Sequence, residues 1–207
     1  LALRNVDVSL WKQGKKLASQ FGEMLFTHTG VSGPVILMLS SAVAHKPKWT
    51  FPMQLRINLK PALTADALDA RVQRDFQKYL RKQVDNALKE LLPQHLIPVV
   101  LDQAGIAKET PVNQITRIQR QDLVTVLQAL SLTLTGTRPI AEAIVTAGGV
   151  SVREINPKTM ESKCVEGLYF AGEVMDIDAF TGGYNLQAAF STGVVAGRAA
   201  AAEAKEE

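Results

Sequence analysis

The sequence predicts an α+β protein: a β-rich part, a helical subdomain, and a C-terminal strand–turn–helix segment. Three observations predict it. Trp49, Phe51, Met53, Leu55, Ile57 and Leu59 alternate with polar residues, the period of a strand with one buried face. From Thr64 to Leu92, apolar residues recur at spacings of three and four (Leu68, Val72, Phe76, Tyr79, Leu80, Val84, Leu88, Leu91, Leu92), the period of an amphipathic helix. The run from Gly167 to Glu173 is apolar, bounded by glycines and closed by an acid, with a glycine-rich turn and a small-residue helix after it.

The elements follow in order. Val6, Val8 and Leu10 alternate with polar neighbours and read as a strand. Ser32, Gly33 and Pro34 open a helix, with Ser32 as N-cap and Pro34 in the first turn. Val35 to Leu39 is apolar nearly all round, so that helix is expected to be buried. Pro52 falls on the polar face of the next strand, which suits an edge or a strand start. Pro61 ends the β segment. The helical subdomain then runs from Thr64 to Leu92, from Ile97 to Ala104 with Gly105 as its stop, and from Arg120 to Leu130. Leu132 to Thr135 returns to strand. Short strands are expected around Gly148 and Gly149, and Asn156 to Thr159 is a turn. Leu168 to Ala171 reads as a buried strand delivering Glu173 to a sheet end. The last helix starts near Asn185. Leu186, Ala189, Phe190, Gly193, Val194 and Gly197 share one of its faces, where Gly193 and Gly197 predict close helix packing. The resulting divisions are residues 1–60, 61–131, 132–139 and 140–207.

Composition limits the classes of function. An apolar fraction of 46% in 207 residues supports a substantial core. One cysteine, Cys164, excludes an internal disulfide and points to a reducing, cytoplasmic setting. No apolar run approaches the ~18 residues of a membrane span, so no membrane partner is expected. The histidines have no metal-ligand spacing, and no metal is expected. A net charge of +3 with interleaved signs is a weak argument for nucleic acid.

Four stretches carry a family resemblance: Gly22 to Pro34 (GEMLFTHTGVSGP), Val145 to Val150 (VTAGGV), Thr159 to Lys163 (TMESK), and Gly167 to Gln187. In that order they resemble the BaiN-like family of FAD-binding flavoproteins, also labelled aminoacetone-oxidase-like. The resemblance implies an insert domain, residues 1–60, with the helical subdomain 61–131 and a return strand 132–139. Residues 140–207 would then be the C-terminal part of a FAD domain of the two-dinucleotide-binding type. The chain contains no Gly-x-Gly-x-x-Gly, the turn that admits a dinucleotide pyrophosphate. It therefore reads as the C-terminal portion of a longer protein. Its partner would be the N-terminal part of the FAD domain, and the isolated chain is expected to be inactive and free of FAD.

The resemblance assigns FAD contacts to Gly148, Gly149, Gly172, Glu173, Asp176, Asp178, Thr181, Gly182, Gly183, Tyr184, Asn185, Leu186 and Gln187. Their residue types suit the role. A strand-end carboxylate accepts hydroxyl hydrogen bonds, glycines let backbone approach a planar ring, and a helix N-terminus favours negative charge. Asp176 and Asp178 are equally open to capping the turn or touching a helix. For catalysis, His28 and Tyr184 are the candidate proton donors or acceptors. A lone histidine is more often structural, and His28 is also open to holding the turn before Ser32. The family implies flavin-dependent hydride transfer with a small organic substrate, either conjugated C=C reduction or amine oxidation. The alternative is an RNA-modifying reductase acting on a uridine, its phosphates held by Arg71, Arg74, Lys78, Arg81, Lys82 and Lys89. Asp66, Asp69, Asp75, Asp85 and Glu90 on the same stretch argue for ordinary surface pairing instead.

Overall fold

The computed structural model describes residues 1–46 and 48–204. It is an α+β protein whose chain forms two compact units. Unit 1 is Leu1–Leu39 with Thr50–Thr135, and unit 2 is Ser40–Trp49 with Gly136–Glu207.

Unit 1 is built on a curled five-stranded antiparallel sheet. β1 (Ala2–Lys12) and β2 (Lys15–Phe26) form a long hairpin, and β3 (Val31–Ser32) adds to the edge of β2. Helix α1 (Pro34–Ala44) follows, then β4 (Met53–Asn58) on the other side of β1. The sheet order is β3-β2-β1-β4-β5, where β5 (Leu130–Leu134) returns after the helices. One face carries Val8, Leu10, Leu55, Ile57 and Leu130, all buried. The helices α2 (Ala65–Lys78), α3 (Val84–Ala87), α4 (Ile97–Gln103) and α5 (Arg117–Gln128) bury Leu68, Val72, Leu88, Leu101, Leu123 and Leu127.

Several expectations need correction. The helix predicted from Thr64 to Leu92 stops at Lys78. Tyr79 leaves the helical region, and Gln83 pairs with Pro111 while Val84 N–H donates to Thr110 O, so the chain turns into a separate short helix. The spacing survives the break because Val84, Leu88, Leu91 and Leu92 are buried after the turn, whereas Leu80 is exposed. Helix α5 begins three residues before the predicted Arg120. Thr116 and Gln119 form a reciprocal capping box there, a signal readable as Thr-x-x-Gln. Ser32 is not an N-cap but pairs with Leu25 in β3. Gly33 makes the turn instead, at φ +96, with Met24 Cα only 3.0 Å from where a Cβ would stand. Helix α1 is buried at Val35 and Leu39 only. Trp49 and Phe51 precede β4 rather than belonging to it, since the strand starts after Pro52, which has no N–H to pair.

Unit 2 is organised differently. Helix α6 (Tyr184–Glu203) is its long element, and one-turn 3-10 segments and isolated bridges make up much of the rest. The predicted strand Leu168–Ala171 is absent as a sheet member. Tyr169 forms a single antiparallel bridge with Glu161, and Leu168 is exposed. The apolar face of α6 is likewise uncovered: Leu186, Phe190 and Val194 are 60%, 69% and 52% exposed. A Cβ at Gly193 or Gly197 would meet nothing within 4 Å, so among the described residues neither glycine packs against a neighbour. No helix among the described residues is long and apolar enough to cross a membrane.

Candidate functional site

The predicted FAD-contact residues lie in unit 2, and the backbone brings several together. Gly149 has φ +147, and a Cβ there would stand 2.5 Å from Val174 O. Only glycine permits that approach. It lets Val150 N–H donate to Val174 O at 2.8 Å and Asp176 N–H donate to Val150 O at 2.9 Å. Asp176 completes the joint, its Oδ1 accepting from Gly148 N–H at 3.1 Å. Two stretches separated by about 25 residues of chain thus run side by side.

Gly172 begins the next piece, at φ +73 in a one-turn 3-10 segment, Gly172–Val174. Its N–H donates to Thr192 Oγ1 at 3.0 Å, and that hydroxyl donates to Ala188 O at 2.7 Å. Thr192 therefore fastens the Gly172 turn to α6. Glu173 is exposed, and among the described residues its carboxylate has no hydrogen-bond partner. A shallow depression is lined by Gly172, Glu173, Ile177, Asn185, Ala188 and Ala189.

The glycine turn before α6 is held closed by one side chain. Asn185 Oδ1 accepts from Ala179 N–H at 2.8 Å, and Asn185 Nδ2 donates to Ala179 O at 2.9 Å. Between these anchors stand exposed Thr181, Gly182 at φ +130 and Gly183 at φ +92. Gly183 is the N-cap of α6 and offers no side chain, so no side chain caps that helix start. Tyr184 and Leu186 flank it in the open, and Gln187 Nε2 donates to Ser191 Oγ at 3.0 Å. Asp178 is nearly buried. It accepts from Ser41 Oγ at 2.9 Å, and His45 Nδ1 lies 3.8 Å away. The side chains of Asp176, Asp178 and Asn185 thus have protein partners already, while Glu173 and Tyr184 stand free for a ligand.

The catalytic candidates fall in different units. Tyr184 belongs to unit 2 beside the glycine turn. His28 belongs to unit 1, exposed on the β2–β3 turn. That turn is held by Thr27, whose N–H and Oγ1 both donate to Gly30 O, at 2.8 and 3.2 Å. Another tyrosine, Tyr169, donates its hydroxyl to Glu203, and this bond pushes its pKa up to about 12. Among the described residues no group of three or more His, Cys, Asp or Glu is placed to hold a metal.

Reading single residues missed Thr192 and Ser41. Both position the segment through contacts far away in sequence, and neither lies in a recognisable pattern.

The cations proposed for RNA are largely engaged. Arg71 pairs with Asp75 at 2.9 Å, and Lys78 with Glu90 at 2.5 Å. Lys82 lies 5.0 Å from the Tyr79 ring centre. Arg120 of α5 donates to Asp69 at 2.7 Å, and this hydrogen bond holds the Asp69 carboxyl below its usual range.

The antiparallel curled sheet with its helical cluster fits the barrel and H2TH domain of the BaiN/HI0933-like flavoprotein family. The chain belongs to the HI0933-like family. Residues 1–145 match the family described as "HI0933-like protein barrel and H2TH domain". It is 35% identical to the 3-dehydro-bile acid delta(4,6)-reductase of Clostridium scindens, over 89% of this chain and 45% of that protein. It is 34% identical to the ribosomal RNA dihydrouridine synthase of Haemophilus influenzae, over 84% of this chain and 41% of the relative. With the Escherichia coli protein of the same name the identity is 34%, over 82% and 40%. The chain spans less than half the length of these curated relatives.

Proposed function

We propose that this chain is the insert and the cofactor-facing C-terminal part of a FAD-dependent reductase. The remainder of the FAD domain would be its partner. The observation that carries this is the preformed turn from Ala179 to Asn185, opening on an uncapped helix start beside a partnerless Glu173. These residues fit a flavin. Glycines at 182 and 183 leave room for a flat ring, Glu173 is free to accept from hydroxyls, and the α6 N–H groups favour negative charge. When bound, the flavin supplies the hydride chemistry. The chain's own residues bind and orient. Asn185 keeps the turn closed, Thr192 holds Gly172 and Glu173 against α6, and Asp176 locks the Gly148 turn in place. Tyr184, exposed at this start, is the proposed proton donor. The isolated 207 residues are proposed to be inactive, because the exposed face of α6 and the partnerless Glu173 both await the rest of that domain.

The test is Glu173→Ala in a protein containing this chain and the remaining FAD domain. FAD affinity should fall by ~1–3 kcal/mol, as for a lost charged hydrogen-bond partner. Circular dichroism should be unchanged, since Glu173 is exposed. Unaltered affinity would remove Glu173 from the site.

For substrate, conjugated C=C reduction suits the relative named as a bile acid reductase. The two relatives named ribosomal RNA dihydrouridine synthases support a second reading, reduction of a uridine in RNA. One observation favours it: carboxylates are absent from the chain between Glu23 and Asp66, a stretch that carries several cations.

A further inference from the structure

We infer that the tip of the β1–β2 hairpin and the adjoining outer sheet face form a contact surface for single-stranded RNA. The inference rests on the RNA reading above and gives it a location. The outer face is the one opposite Val8, Leu10, Leu55 and Ile57. It presents Asp7, Ser9 and Trp11 from β1, with Arg56 and Gln54 from β4 beside them. Trp11 is fixed in place. Its Nε1–H donates to Ser9 Oγ at 2.8 Å, and the Ser9 hydroxyl donates to Arg56 O at 3.3 Å. The Arg56 guanidinium lies 4.3 Å from the Trp11 ring centre, and its Nη2 donates to Gln54 Oε1 at 3.2 Å. Indole and guanidinium therefore make a flat cationic layer, oriented before any ligand arrives. Both residues remain half-exposed.

Charge around this layer is one-sided. Gln13 and Gly14, at φ +50 and +75, form a two-residue turn that pairs Lys12 with Lys15, and Lys16 pairs with Trp11. Such a turn holds a hairpin in a defined register. Lys16 thus shares the Trp11 face, while the Lys12–Lys15 pair stands one residue further along at the tip, on the other face. Lys12 donates to Thr50, a neutral partner, and no ion pair to Arg56 occurs among the described residues. The nearest carboxylate along β1 is Asp7, four residues or ~13 Å from Trp11. Glu23 is further still and lies 3.7 Å from Arg4. This contrasts with α2, where Arg71 and Lys78 each have a carboxylate. A cationic strip beside a fixed planar layer is the arrangement that holds unstacked bases and their phosphates. A small apolar substrate has no use for it.

The experiment uses the 207-residue chain in a Trp49→Phe background, so that Trp11 is the only indole. A fluorescein-labelled single-stranded RNA of mixed sequence is titrated at several salt concentrations, together with its duplex and with anionic phosphatidylserine vesicles. Single-stranded RNA should bind at least ten-fold tighter than the duplex and quench Trp11. Replacing Lys12, Lys15 and Lys16 by Gln should lower the log–log salt slope by about two, from ~0.7 per phosphate contact. Arg56→Gln should weaken binding several-fold with little change in slope beyond one contact. If RNA binds but only Arg74, Arg81 and Lys82 substitutions weaken it, the hairpin inference fails while the RNA reading stands. If no RNA binds, both fail. Equal binding to duplex or vesicles, or no Trp11 quenching, overturns the stacking role.

Discussion

Unit 1 and unit 2 differ in how they use apolar residues. In unit 1 the buried side chains are large and contiguous across sheet and helices, from Val8 and Leu55 to Leu88 and Leu127. Among the described residues of unit 2, only Ile155, Met175 and Ala196 are buried apolar side chains, while Ile140, Ile144, Phe180 and Phe190 are more than half exposed. Burial of apolar area is the main favourable term in folding. Unit 1 has this stabilisation within itself. Unit 2 is held instead by glycine geometry and point contacts such as Asn185 to Ala179 and Thr192 to Gly172.

The largest expected effect tests unit 1 directly. Leu55→Ala, at a side chain 1% exposed, should lower the unfolding free energy by ~2–5 kcal/mol in denaturant titration. Phe190→Ala in unit 2 should cost under ~0.5 kcal/mol in the same assay. A cost above ~1 kcal/mol at Phe190 would mean that α6 is packed in the chain alone.

Next, Gly149→Ala should strain unit 2 by ~1–3 kcal/mol, because a methyl group there meets Val174 O and φ is +147. Limited proteolysis should accelerate in residues 140–180 while amides of β1 and β4 keep their hydrogen-exchange protection. Loss of protection in both regions together would show that the two units unfold as one.

Smaller still is the ion pair joining α2 to α5 in unit 1. A double-mutant cycle of Asp69→Ala and Arg120→Ala should give a coupling of about 0.5–1 kcal/mol, reduced by salt. The bond from Arg120 depresses the Asp69 carboxyl in the folded state. Its stabilisation is therefore present above the unfolded carboxyl value of about 3.9 and is lost as pH falls through the folded one. A coupling that persisted well below that range would require another source.

The smallest change is also diagnostic. Gly193→Ala should stabilise the isolated chain by up to about 0.5–1 kcal/mol, since the site is helical, exposed and open. In a longer protein whose FAD domain covers that face closely, the same methyl group should destabilise. A gain in both settings would argue that nothing packs there.

Much of the fold could be read from pattern. The alternation through Met53, Leu55 and Ile57 corresponds to β4, and the spacing of Leu68, Val72 and Phe76 to α2. These periods are local, because they express which side of one element faces apolar neighbours. The break at Tyr79 was not legible, since it depends on the pairing of Gln83 with Pro111 far along the chain. The site divides the same way. Gly149, Gly182 and Gly183 stood out because glycine alone tolerates left-handed backbone without strain. That Asn185 clamps the turn, and that Asp178 binds Ser41, depended on contacts no spacing rule reaches.

By itself the sequence determined the α+β class, the core of β4 and the first half of the Thr64–Leu92 helix, and the glycine turns, all set by short-range sterics and apolar periodicity. Only the tertiary structure decided which cations are neutralised, which acids are already engaged, and that Trp11, Arg56 and Lys16 share one face of the sheet. Those outcomes come from residues distant in sequence meeting in space, where a hydrogen bond or a charge pair depends on ångström-scale placement rather than on order along the chain.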